Sequence, residues 1–265
     1  MSVPADDPLL STRSGRVKEA RRLTRRAART ERRLFLAEGR QAVREALALP
    51  GCVREVFAVP GRHDDLRTHA VGVAWHDADE AAVASLSDTV SPQGVVAVCS
   101  ALDRPLPDVL SDTPSLVVVC ADVRDPGNAG TVVRCADAVG AQAVVLTGDS
   151  VDVHNGKTVR ASVGSVFHLP VAVHRETAEA VALLQERGFT VLAADGSGET
   201  DLYADPQLLR GPVAWLFGNE AWGLPAELAE LADHRVSVPI PGRAESLNLA
   251  TAAAVCLYAT YAARR

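Results

Sequence analysis

An α/β fold in two parts is what the sequence predicts, on three observations. Short apolar runs, most of them rich in valine and free of polar alternation, recur through the C-terminal half. Strands of that texture belong to a parallel sheet buried on both faces. Helical stretches separate several of these runs, which gives the strand–helix alternation of a covered sheet. A breaker-rich stretch, Arg104-Pro-Leu-Pro-Asp108 followed by Asp112-Thr-Pro114, divides this half from a smaller N-terminal α/β unit. The expected domains are residues 1–107 and 112–265.

Element by element, residues 1–12 are expected to fray. Arg16 to Arg33 is helix-permissive, with a thin stripe of Val17, Ala20, Leu23 and Ala27 and arginine elsewhere. Arg33-Leu-Phe-Leu-Ala-Glu-Gly39 opens a second helical segment that runs to about Leu49, where Pro50-Gly51 stops it. Val53 to Val59 reads as a strand, Asp79 to Leu86 as a helix and Gly94 to Cys99 as a buried strand. Past the linker, strands are expected at Leu116 to Cys120, Ala143 to Leu146, Thr190 to Ala194, Val213 to Phe217 and Arg235 to Val238. Helices are expected at Thr131 to Val139, Thr177 to Arg187 and Leu224 to Leu231, and a long one, Leu247 to Ala263, closes the sequence.

Composition narrows the function classes. With 265 residues, 48% hydrophobic and 23% charged, the chain is neither disordered nor fibrous and has ample material for a core. Its five cysteines (Cys52, Cys99, Cys120, Cys135, Cys256) are scattered, mostly in apolar runs, and form no CxxC pair. They read as reduced core thiols of a cytoplasmic protein, and no metal is expected. The longest apolar stretch, Leu249 to Ala263, is too short and too polar to cross a membrane easily, and no signal peptide is expected. The net charge of −6 hides a segregation. Between Arg13 and Arg44, twelve Lys/Arg face Glu19, Glu31 and Glu38, a local +9 that leaves −15 elsewhere. A basic arm on an acidic body points to a polyanion such as RNA. A solvated helix face or a targeting peptide is the alternative; Asp6, Asp7 and Glu19 weigh against the latter.

In a parallel sheet, ligands bind beyond the carboxyl ends of the strands, so the loops leaving those ends are where chemistry is expected. The first, Asp122-Val-Arg-Asp-Pro-Gly-Asn128-Ala-Gly130, leads into a helix that carries Arg134. Gly127 and Gly130 permit close approach of backbone to a ligand, and a helix N-terminus suits an anion. The glycine spacing does not match the dinucleotide fingerprint. Taken alone, Asn128 reads equally as a helix cap and Arg134 as a surface arginine. The second loop, Leu216-Phe-Gly218-Asn219-Glu220-Ala-Trp-Gly223-Leu-Pro225, places a carboxylate between two glycines directly after a strand. Glu220 is there either for chemistry or to favour the start of the next helix. In the third, Pro239, Pro241 and Gly242 force an irregular excursion, after which Ser246 is expected to cap the final, alanine-rich helix.

In this order and spacing the three loops resemble the signature motifs of the SpoU/TrmH family of RNA 2′-O-ribose methyltransferases, within the SPOUT superfamily. The first motif matches in Asn128-Ala-Gly-Thr-Val-Val-Arg134-Cys-Ala-Asp-Ala-Val-Gly140, the second in Phe217-Gly-Asn-Glu220-Ala-Trp-Gly-Leu224, and the third in Val238-Pro-Ile-Pro-Gly-Arg-Ala-Glu-Ser-Leu-Asn248. Asn155-Gly-Lys-Thr-Val-Arg160-Ala-Ser-Val-Gly-Ser-Val-Phe167 also looks like the family. The likeness covers residues 112–265; more loosely, Phe35-Leu-Ala-Glu-Gly39 and its surroundings resemble the family's N-terminal substrate-binding domain, similar in fold to certain RNA-binding ribosomal proteins.

The resemblance implies a trefoil knot in the C-terminal domain, a homodimer, and S-adenosylmethionine as cofactor. The cofactor would lie against Ala193, Asp195, Gly196, Leu216, Gly218, Val238, Ile240 and Leu247. It implies Arg134 as the residue that activates the ribose 2′-hydroxyl, with Asn128, Glu220 and Asn248 orienting the arginine, the hydroxyl and the loops. RNA contacts are expected from Arg21, Arg22, Arg25, Arg26, Arg29 and Arg160. Large-subunit ribosomal RNA is the expected substrate, as in the family's 23S rRNA members, the thiostrepton-resistance type included. The alternatives are a tRNA ribose methyltransferase, a non-catalytic RNA-binding relative, and a nucleotide-dependent oxidoreductase, which would want the glycine fingerprint that the first strand lacks.

Overall fold

The computed structural model describes residues 9–265, which form two compact units. The first runs through Ala101 and takes in His154–Phe167; the second comprises Leu102–Val153 and His168–Arg265. The division drawn from the linker, at 107–112, places residues 154–167 in the second part, whereas they pack with the first.

The first unit holds a four-stranded sheet of β1 (Leu34–Glu38), β2 (Val53–Ala58), β3 (Ala74–Asp77) and β4 (Val95–Ser100), in the order β1-β4-β2-β3. β4 runs antiparallel to both its neighbours, and β2 pairs with β3 in parallel. The Arg-rich segment is two short helices, Gly15–Arg21 and Arg26–Arg32, instead of one. Arg25 between them is extended, and the buried guanidinium of Arg29 holds the break by donating to the carbonyls of Leu23 and Thr24 at 3.0 and 2.9 Å. Of the expected stripe, Val17, Ala20 and Leu23 are buried, against Leu36, Phe57, Val83, Val96 and Val98, whereas Ala27, in the second helix beyond the break, is exposed.

Leu34–Glu38 departs from expectation: it is strand, not the start of a helix. Arg33 turns left-handed (φ +54°) and ends the preceding helix, and residues 34–38 then pair with β4, Phe35 opposite Cys99. Leu, Ala and Glu are good helix formers, but pairing that buries Phe35 to Glu38 outweighs a propensity of a few tenths of a kcal/mol per residue. The expected helix follows only from Arg40 to Ala48. Of the segment expected to fray, residues 1–8 lie outside the described residues. Leu10 is tied to the sheet by hydrogen bonds with Asp77 and Asp79.

Residues 154–167 complete this unit from far along the chain. The Phe35 ring lies 4.7 Å from the His154 ring and 6.0 Å from the nearly parallel Phe167 ring. Gly164 sits at φ +98° beneath Glu45, where a Cβ would come within 2.6 Å of that side chain, so only glycine fits. Within the helix Gly156–Ala161, Arg160 donates to the buried Glu38 carboxylate at 2.8 Å, whose other oxygen takes the Ser87 hydroxyl.

The second unit is built on eight strands: β5 (Asp103–Arg104), β6 (Leu116–Ala121), β7 (Ala143–Thr147), β8 (Val171–His174), β9 (Thr190–Ala194), β10 (Thr200–Asp201), β11 (Val213–Phe217) and β12 (His234–Ser237). Their order is β10-β12-β9-β11-β6-β7-β8-β5, and every pairing is parallel. β6, β7 and β11 are buried throughout, which is why they carry no alternation. From β6 the chain proceeds to β7 and β8 on one side, while from β11 it proceeds to β12 on the other. β6 and β11 are neighbours, so their exit loops diverge and open a crevice between them, the switch point at which such sheets bind ligands.

Two caps differ from expectation. The helix Pro126–Ala138 starts earlier than the apolar pattern indicated, with Asp125 as its cap and Pro126 at the first position. The final helix, Leu249–Ala263, is capped by Asn248 and not by Ser246. Trp215 of β11 is wholly buried and donates to the Thr260 hydroxyl of this helix at 2.9 Å.

Replacing Arg160 by Ala leaves the Glu38 carboxylate buried without its counter-charge. Urea unfolding should show a loss of about 3–5 kcal/mol, and adding Glu38→Gln should recover much of it. Equal stability of Arg160→Ala and wild type would show that the pair contributes nothing.

Candidate functional site

The site builds outward from the crevice between β6 and β11. Leaving β6, Asp122 takes a left-handed turn (φ +54°), and the chain then reaches Arg124, Asp125 and the helix that begins at Pro126. Asp125 accepts from the backbone N–H of Asn128 at 2.8 Å, which fixes the first turn and aims the Asn128 side chain out of it. Leaving β11, the chain makes a tight turn closed by reciprocal backbone hydrogen bonds of 2.9 Å between Asn219 and Gly223. Gly218 lies so close under this turn that a Cβ would stand 2.3 Å from the carbonyl carbon of Gly223, so no other residue fits. The buried Asn219 donates its side-chain amide to the Asp122 carbonyl at 2.6 Å.

Glu220 bridges the two loops. Its Oε2 accepts the Arg124 N–H at 3.1 Å; its Oε1 accepts the Asp125 N–H at 3.0 Å and the Asn128 side-chain amide at 3.2 Å. The Asn128 side-chain oxygen Oδ1 accepts in turn from the Asn248 side-chain amide at 3.2 Å. Asn248 uses its own oxygen to cap the last helix, on the N–H groups of Ala250 and Thr251 at 2.9 and 3.3 Å. One chain of hydrogen bonds, Glu220–Asn128–Asn248, thus links the exits of β11, β6 and β12.

Partial burial pushes the Glu220 carboxyl up, but the N–H groups of Arg124, Glu220 and Asp125 and the Asn128 amide outweigh it. The net effect holds the group below its ordinary value of 4.5. Glu220 is therefore an ionised acceptor with its oxygens committed to N–H donors, a fastening more than a base. Burial raises the thiols of Cys120 and Cys256 to about 12, so both stay protonated and inert.

The structure brings Asn128, Glu220 and Asn248 together but leaves Arg134 apart from them. Arg134 is exposed on the same helix, six residues and about 9 Å of rise beyond Asn128. The expected cofactor residues divide likewise. Asp195 and Gly196, Gly218, and Val238 and Ile240 leave the carboxyl ends of β9, β11 and β12, which are adjacent in the sheet. Leu247 directly precedes the Asn248 cap. Ala193 and Leu216 sit opposite each other inside the ladder, both wholly buried, and serve this edge only by placing its loops. Val238, Ile240 and Leu247 are half-buried, and Gly218 has no room for a side chain. Apolar side chains for the flat face of an adenine, with loop backbone N–H and C=O groups for its edge, fit S-adenosylmethionine.

The expected RNA contacts fare unevenly. Arg21, Arg25 and Arg26 are exposed. Arg22 and Arg32 are paired with Glu19 at 3.1 and 2.7 Å. Arg29 is buried in the helix break and Arg160 is engaged by Glu38, so both hold the fold instead of presenting a free charge. Among the described residues no group of three or more His, Cys, Asp or Glu is placed to hold a metal ion, and no helix is long and apolar enough to cross a membrane. Sequence reasoning missed Asp125 and Asn219. The Asp-Pro pair ahead of a helix was a visible signal for Asp125; for Asn219, whose partner is a distant carbonyl, there was none.

A parallel α/β sheet covered by helices, with its polar junction at the switch point, defines a ligand-binding domain that carries a second, smaller unit. The model of the SpoU rRNA Methylase family matches residues 115–258, and that of the MRM3-like substrate binding domain matches residues 15–97. The chain is 36% identical over 250 residues to the 23S rRNA (guanosine(2553)-2′-O)-methyltransferase RlmP of Bacillus subtilis (strain 168), covering 94% of this chain and 96% of that protein. An AdoMet-bound rRNA methyltransferase from Sinorhizobium meliloti superimposes with a TM-score of 0.83 at 33% identity, over 95% of this chain and 97% of that one. The SpoU methyltransferase AviRb from Streptomyces viridochromogenes, in complex with AdoMet, gives 0.85 at 27% identity, over 95% and 98%. The chain belongs to the SpoU rRNA Methylase family.

Because the Glu220 carboxyl is held below its ordinary value, its contribution to stability is fully present above pH 4.5 and is withdrawn as pH falls through the lowered value. Glu220→Gln turns an NH2 toward a backbone donor and should cost about 1–3 kcal/mol at neutral pH. Its unfolding free energy should also lose the acid-side slope that this carboxylate gives the wild type. A variant with the wild-type slope would remove Glu220 from the junction.

Proposed function

We propose that the chain transfers the methyl group of S-adenosylmethionine to a ribose 2′-hydroxyl of large-subunit ribosomal RNA. The observation that carries this reading is the Glu220–Asn128–Asn248 hydrogen-bond chain, which joins the three family motifs at the mouth of the switch-point crevice. The names of the similar proteins and the match of the N-terminal unit to a substrate-binding domain support ribosomal RNA as the substrate.

Bound at the exits of β9, β11 and β12, the cofactor supplies a sulfonium methyl that is already strongly electrophilic. The protein's task is then the acceptor, since a ribose hydroxyl is a poor nucleophile until it is aligned and loses its proton. Positioning and electrostatics carry such a step. Arg134 is the residue for it: an arginine does not give up its proton near neutral pH, so its role is to stabilise the developing alkoxide. An RNA phosphate beside the ribose takes the proton. Asn128, Glu220 and Asn248 keep the three loops in register around that point. The exposed Arg21, Arg25 and Arg26 hold RNA phosphates, within the basic segment between Arg13 and Arg44. Family membership further supports a trefoil knot in the C-terminal segment, a ribosomal-protein-like N-terminal unit, a homodimer and a cytoplasmic setting.

Arg134→Ala should bind S-adenosylmethionine as the wild type does in calorimetry while methyl transfer to ribosomal RNA falls by at least ~10²-fold. Near-normal turnover would remove Arg134 from the chemistry. Neutralising Arg21, Arg25 and Arg26 together should weaken RNA binding and flatten its salt dependence, by about one slope unit for each phosphate no longer neutralised. An unchanged slope would place the RNA elsewhere.

A further inference from the structure

The three tryptophans differ sharply in their surroundings. Trp215 is wholly buried, and Trp75 is half-buried with the Arg67 guanidinium 5.9 Å from its ring. Trp222, two residues after Glu220, is 60% exposed. Its placement is fixed from below. The turn that carries it is closed by the two Asn219–Gly223 backbone bonds, by the Ala221 N–H on the Asn219 side chain at 2.8 Å, and by the Asn219 amide on Asp122. Gly218 packs beneath with no room for a methyl group. A rigid turn therefore holds an indole out into solvent beside the junction that orders the site.

We propose that Trp222 contacts the substrate directly, its indole stacking on an unpaired nucleobase beside the acceptor ribose. The inference rests on the methyl-transfer reading given above and adds a determinant of how the acceptor nucleotide is presented, unpaired and stacked. A single ring suits a base better than a protein partner. The flanking Ala221 and Gly223 are small and exposed and give the indole no bulky neighbour on either side along the turn, and the next large apolar residue, Leu224, packs partly against the core. Every base offers a π-face, and the stack is formed without any backbone rearrangement of the turn. The turn's fastening to Glu220's neighbours ties the height of the stacked base to the loops around the acceptor.

Methyl transfer to a large-subunit rRNA transcript and acrylamide quenching of tryptophan fluorescence test this together. Trp222→Ala should raise KM for the RNA by about tenfold or more with kcat little changed and cofactor binding intact, whereas Trp222→Phe should restore most of the loss. RNA should protect the wild-type fluorescence from acrylamide, and in Trp222→Phe that protection should fall to what the half-buried Trp75 contributes. If the wild type methylates RNA and Trp222→Ala does so with an unchanged KM, the stacking is overturned while the methyl-transfer reading stands. If Trp222→Ala changes only the sedimentation behaviour, the ring belongs to an interface between copies and the inference is likewise overturned. If the wild type neither binds nor methylates the RNA, both fall.

Discussion

Three loops that leave three separate strands have no covalent reason to remain within a hydrogen bond of one another. Glu220 supplies an electrostatic one. Its two oxygens collect the N–H groups of Arg124 and Asp125 and the amide of Asn128, and Asn128 passes the connection on to Asn248. The carboxylate stays charged because those donors outweigh its desolvation. The start of the helix that carries Arg134, the turn after β11 and the cap of the final helix are all joined through that one anchoring point. A carboxylate spent in this way is unavailable for proton transfer, which is why the proposed chemistry assigns charge stabilisation to an arginine and the proton to the RNA.

The first unit solves a different problem with similar means. A small four-stranded sheet buries little area for its size. Here the deficit is met by a segment from beyond residue 150, which brings His154 and Phe167 to Phe35 and Arg160 to Glu38. The arginine-rich segment also serves two purposes. Val17, Ala20, Leu23 and the aliphatic-and-charged Arg29 belong to the interior, and the intervening arginines face solvent. Net charge alone describes neither purpose.

Much of this was legible in the residue order, for identifiable reasons. β6, β7, β9 and β11 announced themselves because strands buried on both faces show unbroken apolar runs. β8 did not, because Val171–His174 is only four residues between Pro170 and Arg175; β3, with Ala-Trp-His-Asp, has no pattern of either period. Leu34–Glu38 misled because its helix-forming residues say nothing about β4, which lies far along the chain. Asn128, Glu220 and Asn248 were visible as motif positions, yet their hydrogen bonds span 92 and 120 residues and exist only once the sheet order is set. The buried Arg29 and the half-buried, ion-paired Arg160 could not be told from solvent-facing arginines, since the partners that engage them are set by the fold.

The passage of His154–Phe167 into the first unit has a consequence for synthesis. Ribosomes deliver the chain from its N-terminus, and domains generally fold as they emerge. This first unit cannot follow that schedule. When Ala101 has appeared, Phe35 still lacks two of its ring neighbours and Glu38 lacks its counter-charge, and both arrive only after β6 and β7 of the other unit have been made. All four strands are present once Ala101 has emerged, but the contacts that close the unit wait for that later segment and are among its most distant in sequence. Completion of the N-terminal unit thus becomes a late event, timed by the translation of the domain that follows it.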